Sequence, residues 1–272
     1  MSAPRVLLTG LAFPESPRWY DGALWLADWG AHSVLRLDAG GKAEVIAEVP
    51  SFPLCFDHLP DGRLLAVDSP RGRLLRREPD GTLVPHASLA EHSPYPWNEV
   101  VVDDAGFAFV NGIGFDFPGG DPGPGLVVVV TPEGQTRVVA GDLAFPNGMA
   151  LTRTGQLLVA ESYAGRITAF DVAPDRSLTN RRVWADLGDA APDGICVDAE
   201  GALWFADVPH QQCVRVREGG RVLATVPLDR GAFSCALSGS ALYITANDWQ
   251  GPTAEHAGKG QVLVVDVAVG RA

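Results

Sequence analysis

The stretch APDGICVDAEGALWFADV, Ala191–Val208, decides the fold. An Asp-Gly opens a short apolar run, a turn follows at Ala199-Glu200-Gly201, and a second run, Ala202–Ala206, ends on Asp207. Two short apolar runs around a glycine turn predict a β-hairpin. The same unit recurs along the chain. Its first strands open at Glu15, Cys55, Asn98, Asn147, Asp193 and Cys235, spaced 40 to 49 residues apart. The turn glycines keep register, with Asn98 leading to Gly106, Asn147 to Gly155 and Asp193 to Gly201. Each unit carries four short strands, and a period of this length is that of propeller blades.

The sixth unit is one strand short at the C-terminal end. The N-terminal RVLLTGL, Arg5–Leu11, resembles RVLATVPL, Arg221–Leu228, the last strand of the fifth unit. The N-terminal strand therefore completes the sixth blade and closes the ring, which removes the open sheet edges. The expected fold is all-β: a six-bladed β-propeller of four antiparallel strands per blade. No linker interrupts the 272 residues, so a single domain over 1–272 is expected.

Composition narrows the function. A formal net charge of −12 repels phosphate backbones, so nucleic acid is excluded as a partner. No apolar stretch approaches the ~20 residues that span a bilayer, and the N-terminus makes a poor signal peptide. A cytoplasmic protein with no membrane partner is expected. The four cysteines, Cys55, Cys196, Cys213 and Cys235, are scattered and read as free thiols. The oligomeric state stays open between monomer and dimer.

The opening Asp193 raises a question of cost. In a propeller the first strand of each blade lines the central channel, so residues opening these strands ring one mouth. Glu15, Asn98, Asn147 and Asp193 stand there, all hard oxygen donors. Asn-Gly and Asp-Gly are turn formers when taken singly. Four oxygen-bearing groups at equivalent positions of four repeats point instead to one divalent cation. A lone carboxylate is costly to bury and two repel each other, and a cation removes both problems. Ca²⁺ or Mg²⁺ suits these donors, with Mn²⁺ or Zn²⁺ as substitutes.

The loops joining second and third strands surround the same mouth, and those over 111–125 and 247–261 are long. Trp29, Trp97, Phe115, Phe117, Tyr163 and Trp249 are candidates to wall a pocket there. His32, His210 and His256 lie in these loops, and His58 follows the start of blade two. None has a catalytic spacing. No G-x-S-x-G elbow supports serine-hydrolase chemistry.

FPESPRW (13–19), WNEVVVDDAG (97–106), FPNGMALTRTG (145–155) and PDGICVDAEGALWFAD (192–207) resemble the senescence marker protein/gluconolactonase/luciferin-regenerating enzyme-like family of regucalcin-like propellers. The resemblance implies a six-bladed propeller with one divalent cation, and lactone hydrolysis. It implies Glu15, Asn147 and Asp193 as metal ligands, Asp193 also as general base, and Asn98 near metal and substrate. In gluconolactonase-like members an Arg precedes that Asn by two positions. Here it is Pro96, and the Asp that follows the Asn is Glu99. With Trp97, Phe115 and Trp249 nearby, the departure points to a less polar lactone or ester. The substrate-contact set expected is thus Asn98, Trp97, Phe115, Trp249 and Glu99. The alternatives are an esterase or phosphotriesterase on the same metal centre, and a non-catalytic Ca²⁺- or ligand-binding propeller.

Overall fold

In the computed structural model, residues 2–38, 41–248 and 258–271 are described. They form six four-stranded antiparallel sheets. Blade one runs Pro14–Tyr20, Ala23–Asp28, Ser33–Leu37, Ala43–Glu48, and blade five Pro192–Val197, Leu203–Asp207, Gln212–Val216, Val222–Pro227. Blade six takes three strands from the C-terminal end and its outer strand from Arg5–Leu11, which pairs antiparallel with Gly260–Asp266. The ring closes as the repeat predicts. First strands of successive blades touch around the channel, from Pro14–Tyr20 to Gly231–Ser238.

The hairpin turns explain the registered glycines. Gly155 and Gly201 have φ +77° and +75°, with nothing within 4 Å of a would-be Cβ. They are needed for conformation rather than for space. Buried apolar side chains pack between neighbouring blades. Ile167 and Trp184 of blade four meet Phe205 and Val214 of blade five, and Trp204 and Cys213 meet Leu242 and Ile244 of blade six.

Second strands carry a polar residue at or next to their end, and in four blades it serves as a clamp. Asp28 accepts from the N–H groups of Ala12 (2.9 Å) and Phe13 (2.7 Å). Glu161 accepts from Ala144 (2.8 Å), and Asp207 from Ala191 (3.2 Å). Asn111 accepts from Glu99 N–H at 3.0 Å and donates to the Asn147 carbonyl at 2.6 Å. Each clamp satisfies the backbone just ahead of, or within, an inner strand. That fixes the angle at which the inner strand meets the channel.

Candidate metal and substrate site

Four inner strands share an irregularity that the sequence does not reveal. Their pairing register shifts between Glu15 and Arg18, Trp97 and Val100, Pro146 and Met149, and Pro192 and Ile195. Each interval holds or borders one of the four oxygen donors. A bulge releases a residue from the ladder and re-aims its side chain. The Asn-Gly and Asp-Gly pairs are not turns here, since Asn147-Gly148 and Asp193-Gly194 lie within strands. A Cβ on Gly148 would run into the Asp193 carbonyl and the Ile195 amide, and one on Gly194 into Ser234. The glycines let adjacent inner strands approach, which carries the donors together.

Glu15, Asn98, Asn147 and Asp193 all line one cavity of about 270 Å³ at the channel mouth. Asn98 Nδ2 donates to Asn147 Oδ1 at 3.0 Å. Asn147 Nδ2 donates to Ser162 Oγ at 3.3 Å, and Ser162 Oγ to the Pro192 carbonyl at 2.7 Å. Ser162, from the loop after a second strand, thus braces the site. Asn147 also lies alongside Asp193 and favours its charged form. Ser16 and Phe145 flank the donors with φ of +46° and +55°. Left-handed backbone at a bulky residue is uncommon and gathers at functional sites.

The electrostatics are those of a site with no cationic side chain in direct contact. Among the described residues, neither Glu15 nor Asp193 makes an ion pair within 4 Å. Burial pushes the Glu15 carboxyl up to about 8, with the Ser16 N–H (2.6 Å) opposing it, the Glu99 charge adding to it and the more distant Arg18 opposing it least. Asp193 stands well above the ordinary carboxylate range because of burial and the charges of Glu15 and Glu99. Two carboxyls, one buried and one half-buried, and two amides, all hard oxygen donors, match a divalent cation's needs. The residues present fit the ion.

The walls are aromatic. On one side Phe13 stacks on Trp29 (5.4 Å) and meets Phe233 edge-on (4.7 Å), while Trp29 meets Phe52 (5.2 Å). On the other, Phe145 stacks on Tyr163 (4.7 Å) and tilts against Phe117 (5.2 Å). Of the expected wall residues, Trp29, Phe117 and Tyr163 line the cavity.

Three of the expected substrate contacts are placed elsewhere. Trp97 is buried at 1% exposure, its backbone N–H held by Ser69 Oγ at 2.8 Å and its ring against Gly112. Phe115 packs behind Phe145 and Tyr163 at 5.7 and 5.9 Å. Glu99 points down the channel, where its carboxylate takes Arg18 Nη2 at 2.8 Å. Trp249 and His256 lie outside the described residues. His32 and His210 bind the Ser51 carbonyl and Asp207 instead of lining the cavity.

Phe13, Phe52, Phe145 and Phe233 escaped the sequence reading. Three had a signal: an aromatic-Pro pair precedes the strand in Phe13-Pro14-Glu15, Phe52-Pro53 and Phe145-Pro146-Asn147. Arg18 had none.

A larger cavity, about 560 Å³, opens at the other end of the channel and is lined by Arg18, Asp57, His58 and Arg271 among others. Arg18 there is paired with Glu99 at 2.8 Å and lies 3.9 Å from Asp57. Size favours that mouth, but the carboxyls without a cation lie at the smaller one.

A closed six-bladed propeller whose inner strands aim oxygen donors into one mouth defines the class. The chain belongs to the SMP-30/gluconolactonase/LRE-like family, whose model matches residues 13–248. It is 27% identical to a pentonolactonase of Haloferax volcanii over 98% of this chain and 92% of that protein. Its fold matches that of a calcium-binding protein, regucalcin, of Agrobacterium tumefaciens, with TM-score 0.82 and 21% identity over 99% of this chain and 95% of the other. It also matches a gluconolactonase of Xanthomonas campestris, with TM-score 0.79 and 23% identity over 96% and 88%.

Proposed function

We propose that the protein is a divalent-metal-dependent lactonase, with Ca²⁺ as the favoured ion. The observation that carries this reading is the pair of carboxyls, buried Glu15 and half-buried Asp193, with two amides at one mouth and, among the described residues, no cationic side chain within 4 Å of either. The relatives named pentonolactonase and gluconolactonase support the reaction, and the one named as calcium-binding supports the ion.

Glu15, Asn147 and Asp193 would hold the ion, and Asn98 would join them or orient the lactone carbonyl. The bound cation supplies Lewis-acid polarisation of that carbonyl. Asp193 takes a proton from the attacking water, directly or through a second water, as the water oxygen bonds to the carbonyl carbon. The ring C–O bond then breaks, and the proton returns to the departing alkoxide, giving a hydroxy acid. A carboxylate whose surroundings raise its proton affinity is a stronger base near neutral pH.

The test compares lactone turnover by the wild type, by Asp193→Ala and by protein stripped with EDTA and then resupplied with Ca²⁺. Turnover should vanish in the two deficient samples and return with the ion. Unchanged turnover in both would end the proposal. A second reading, a protein that only binds Ca²⁺, is favoured by the description of the Agrobacterium relative. Stoichiometric Ca²⁺ uptake with no lactone opening would select it.

The site's small volume implies a small-molecule substrate. Among the described residues, no helix is long and apolar enough to cross a membrane. All four cysteines are free, which suits a reducing, cytoplasmic compartment.

A further inference from the structure

Among the described residues, the carboxyl and amide groups of the mouth cavity are confined to its floor. Glu15, Asn98, Asn147 and Asp193 lie there with Ser162, and they are already engaged with one another or assigned to the ion. Above them, among the described residues, the walls offer no charged group. One wall is Phe13, Trp29 and Phe52, and the other Phe117, Phe145 and Tyr163. Tyr163 is 56% exposed and Phe52 39%, so aromatic surface continues to the rim.

The geometry points to a lactone bearing a hydrocarbon substituent as the substrate class: the ring carbonyl over the donors, and an alkyl or aryl group between the two aromatic walls. This rests on the lactonase reading above. A polyhydroxylated lactone would carry several hydroxyls from water into a slot whose walls, among the described residues, offer them the Tyr163 hydroxyl and otherwise apolar surface, and each hydrogen bond not replaced weakens binding. A hydrocarbon chain gains instead. Burying one methylene is worth about a fourfold change in affinity.

Lactams separate recognition from turnover, because their amide resists hydrolysis. The experiment titrates Ca²⁺-loaded protein with 5-methyl-, 5-butyl- and 5-hexyl-2-pyrrolidinone and with the lactam of a sugar acid, read by calorimetry. Affinity should rise about two- to fourfold per carbon until the chain leaves the walls. The sugar lactam should bind at least tenfold more weakly than the butyl compound. In Tyr163→Ser, at an exposed position, the rise per carbon should shrink. A flat series, or a sugar lactam that binds as tightly as the butyl one, overturns the inference even if sugar lactones are opened. A steep series stands with the inference even where no lactone is hydrolysed, in which case the lactonase reading falls alone.

Discussion

Glu161 and Glu15 are both buried glutamates beside the same channel mouth, at 0% and 5% exposure, yet they behave in opposite ways. Glu161 takes Arg166 through Nε (2.9 Å) and Nη2 (3.0 Å), the Thr168 hydroxyl, and the Ala144 N–H. These partners outweigh burial and hold its carboxyl below the ordinary value. Glu15 has the Ser16 N–H, and burial drives its carboxyl up to about 8. The sheet clamp is complete within the protein. The donor is complete only with something added. Burial alone does not mark a functional acid; burial without compensation does.

The largest expected effect breaks this comparison on the donor side. Asp193→Asn removes both a ligand and the proposed base while keeping the shape. It should lower kcat/KM for lactones by about 10²–10⁴-fold and abolish the rise in melting temperature on adding Ca²⁺. The metal-free variant should be no less stable than metal-free wild type. Wild-type-like stabilisation by Ca²⁺ would contradict the assignment.

On the clamp side, Glu161→Ala leaves Arg166 and the Ala144 N–H without their acceptor. Arg166 is partly exposed and reaches water, so the cost is that of the polar groups orphaned beneath it, about 1–3 kcal/mol. Urea unfolding should show that loss with and without Ca²⁺ alike. A loss below about 1 kcal/mol would mean that the clamps do not hold the inner strands.

Acidity sharpens the same contrast. In metal-free protein the folded Glu15 carboxyl, near 8, lies above its ordinary 4.5. The folded state therefore binds the proton more tightly. That contribution is whole below about 4.5 and is lost as pH rises through 8, at most a few kcal/mol. Metal-free protein should lose stability between pH 5 and 8, Glu15→Gln should lose less, and Ca²⁺ should reverse the trend. Thermal melts at three pH values, with chelator or Ca²⁺, decide it.

The ring was legible because its cause is local: a glycine turn after each short run, and a strand displaced from one terminus to the other. Glu15, Asn98, Asn147 and Asp193 were legible as repeat-equivalent positions, and one cavity now holds all four. The fate of Trp97 and Glu99 was not. Neighbours in sequence to Asn98, they diverge because the bulge between Trp97 and Val100 sends side chains in different directions. Nor was Arg18 legible, since its partner Glu99 is 81 residues away. Residues that face each other only across the channel leave no trace in a repeat.

The smallest predicted effect at neutral pH lies at the opposite mouth. His58 is buried, stacked on Tyr20 at 3.8 Å, and neither ring nitrogen has a hydrogen-bond partner among the described residues. It resembles Glu15 in lacking compensation but differs in chemistry. An imidazole sheds its charge at neutral pH, so no ion is needed. Burial, with Arg18 adding to it, lowers its pKa from 6.5 to about 4. As pH falls from 6.5 to 4 the unfolded chain takes the proton first, so stability declines across that window and is whole above it. The loss should reach about 2–3 kcal/mol, somewhat under the full shift because the ring is not wholly enclosed. His58→Phe keeps the stacking and removes the titration. Urea melts at pH 7, 5.5 and 4.5 should show a shallower decline for the variant. An identical decline would mean that the ring is already hydrated from the lower cavity, and that mouth would then be wetter than its packing implies.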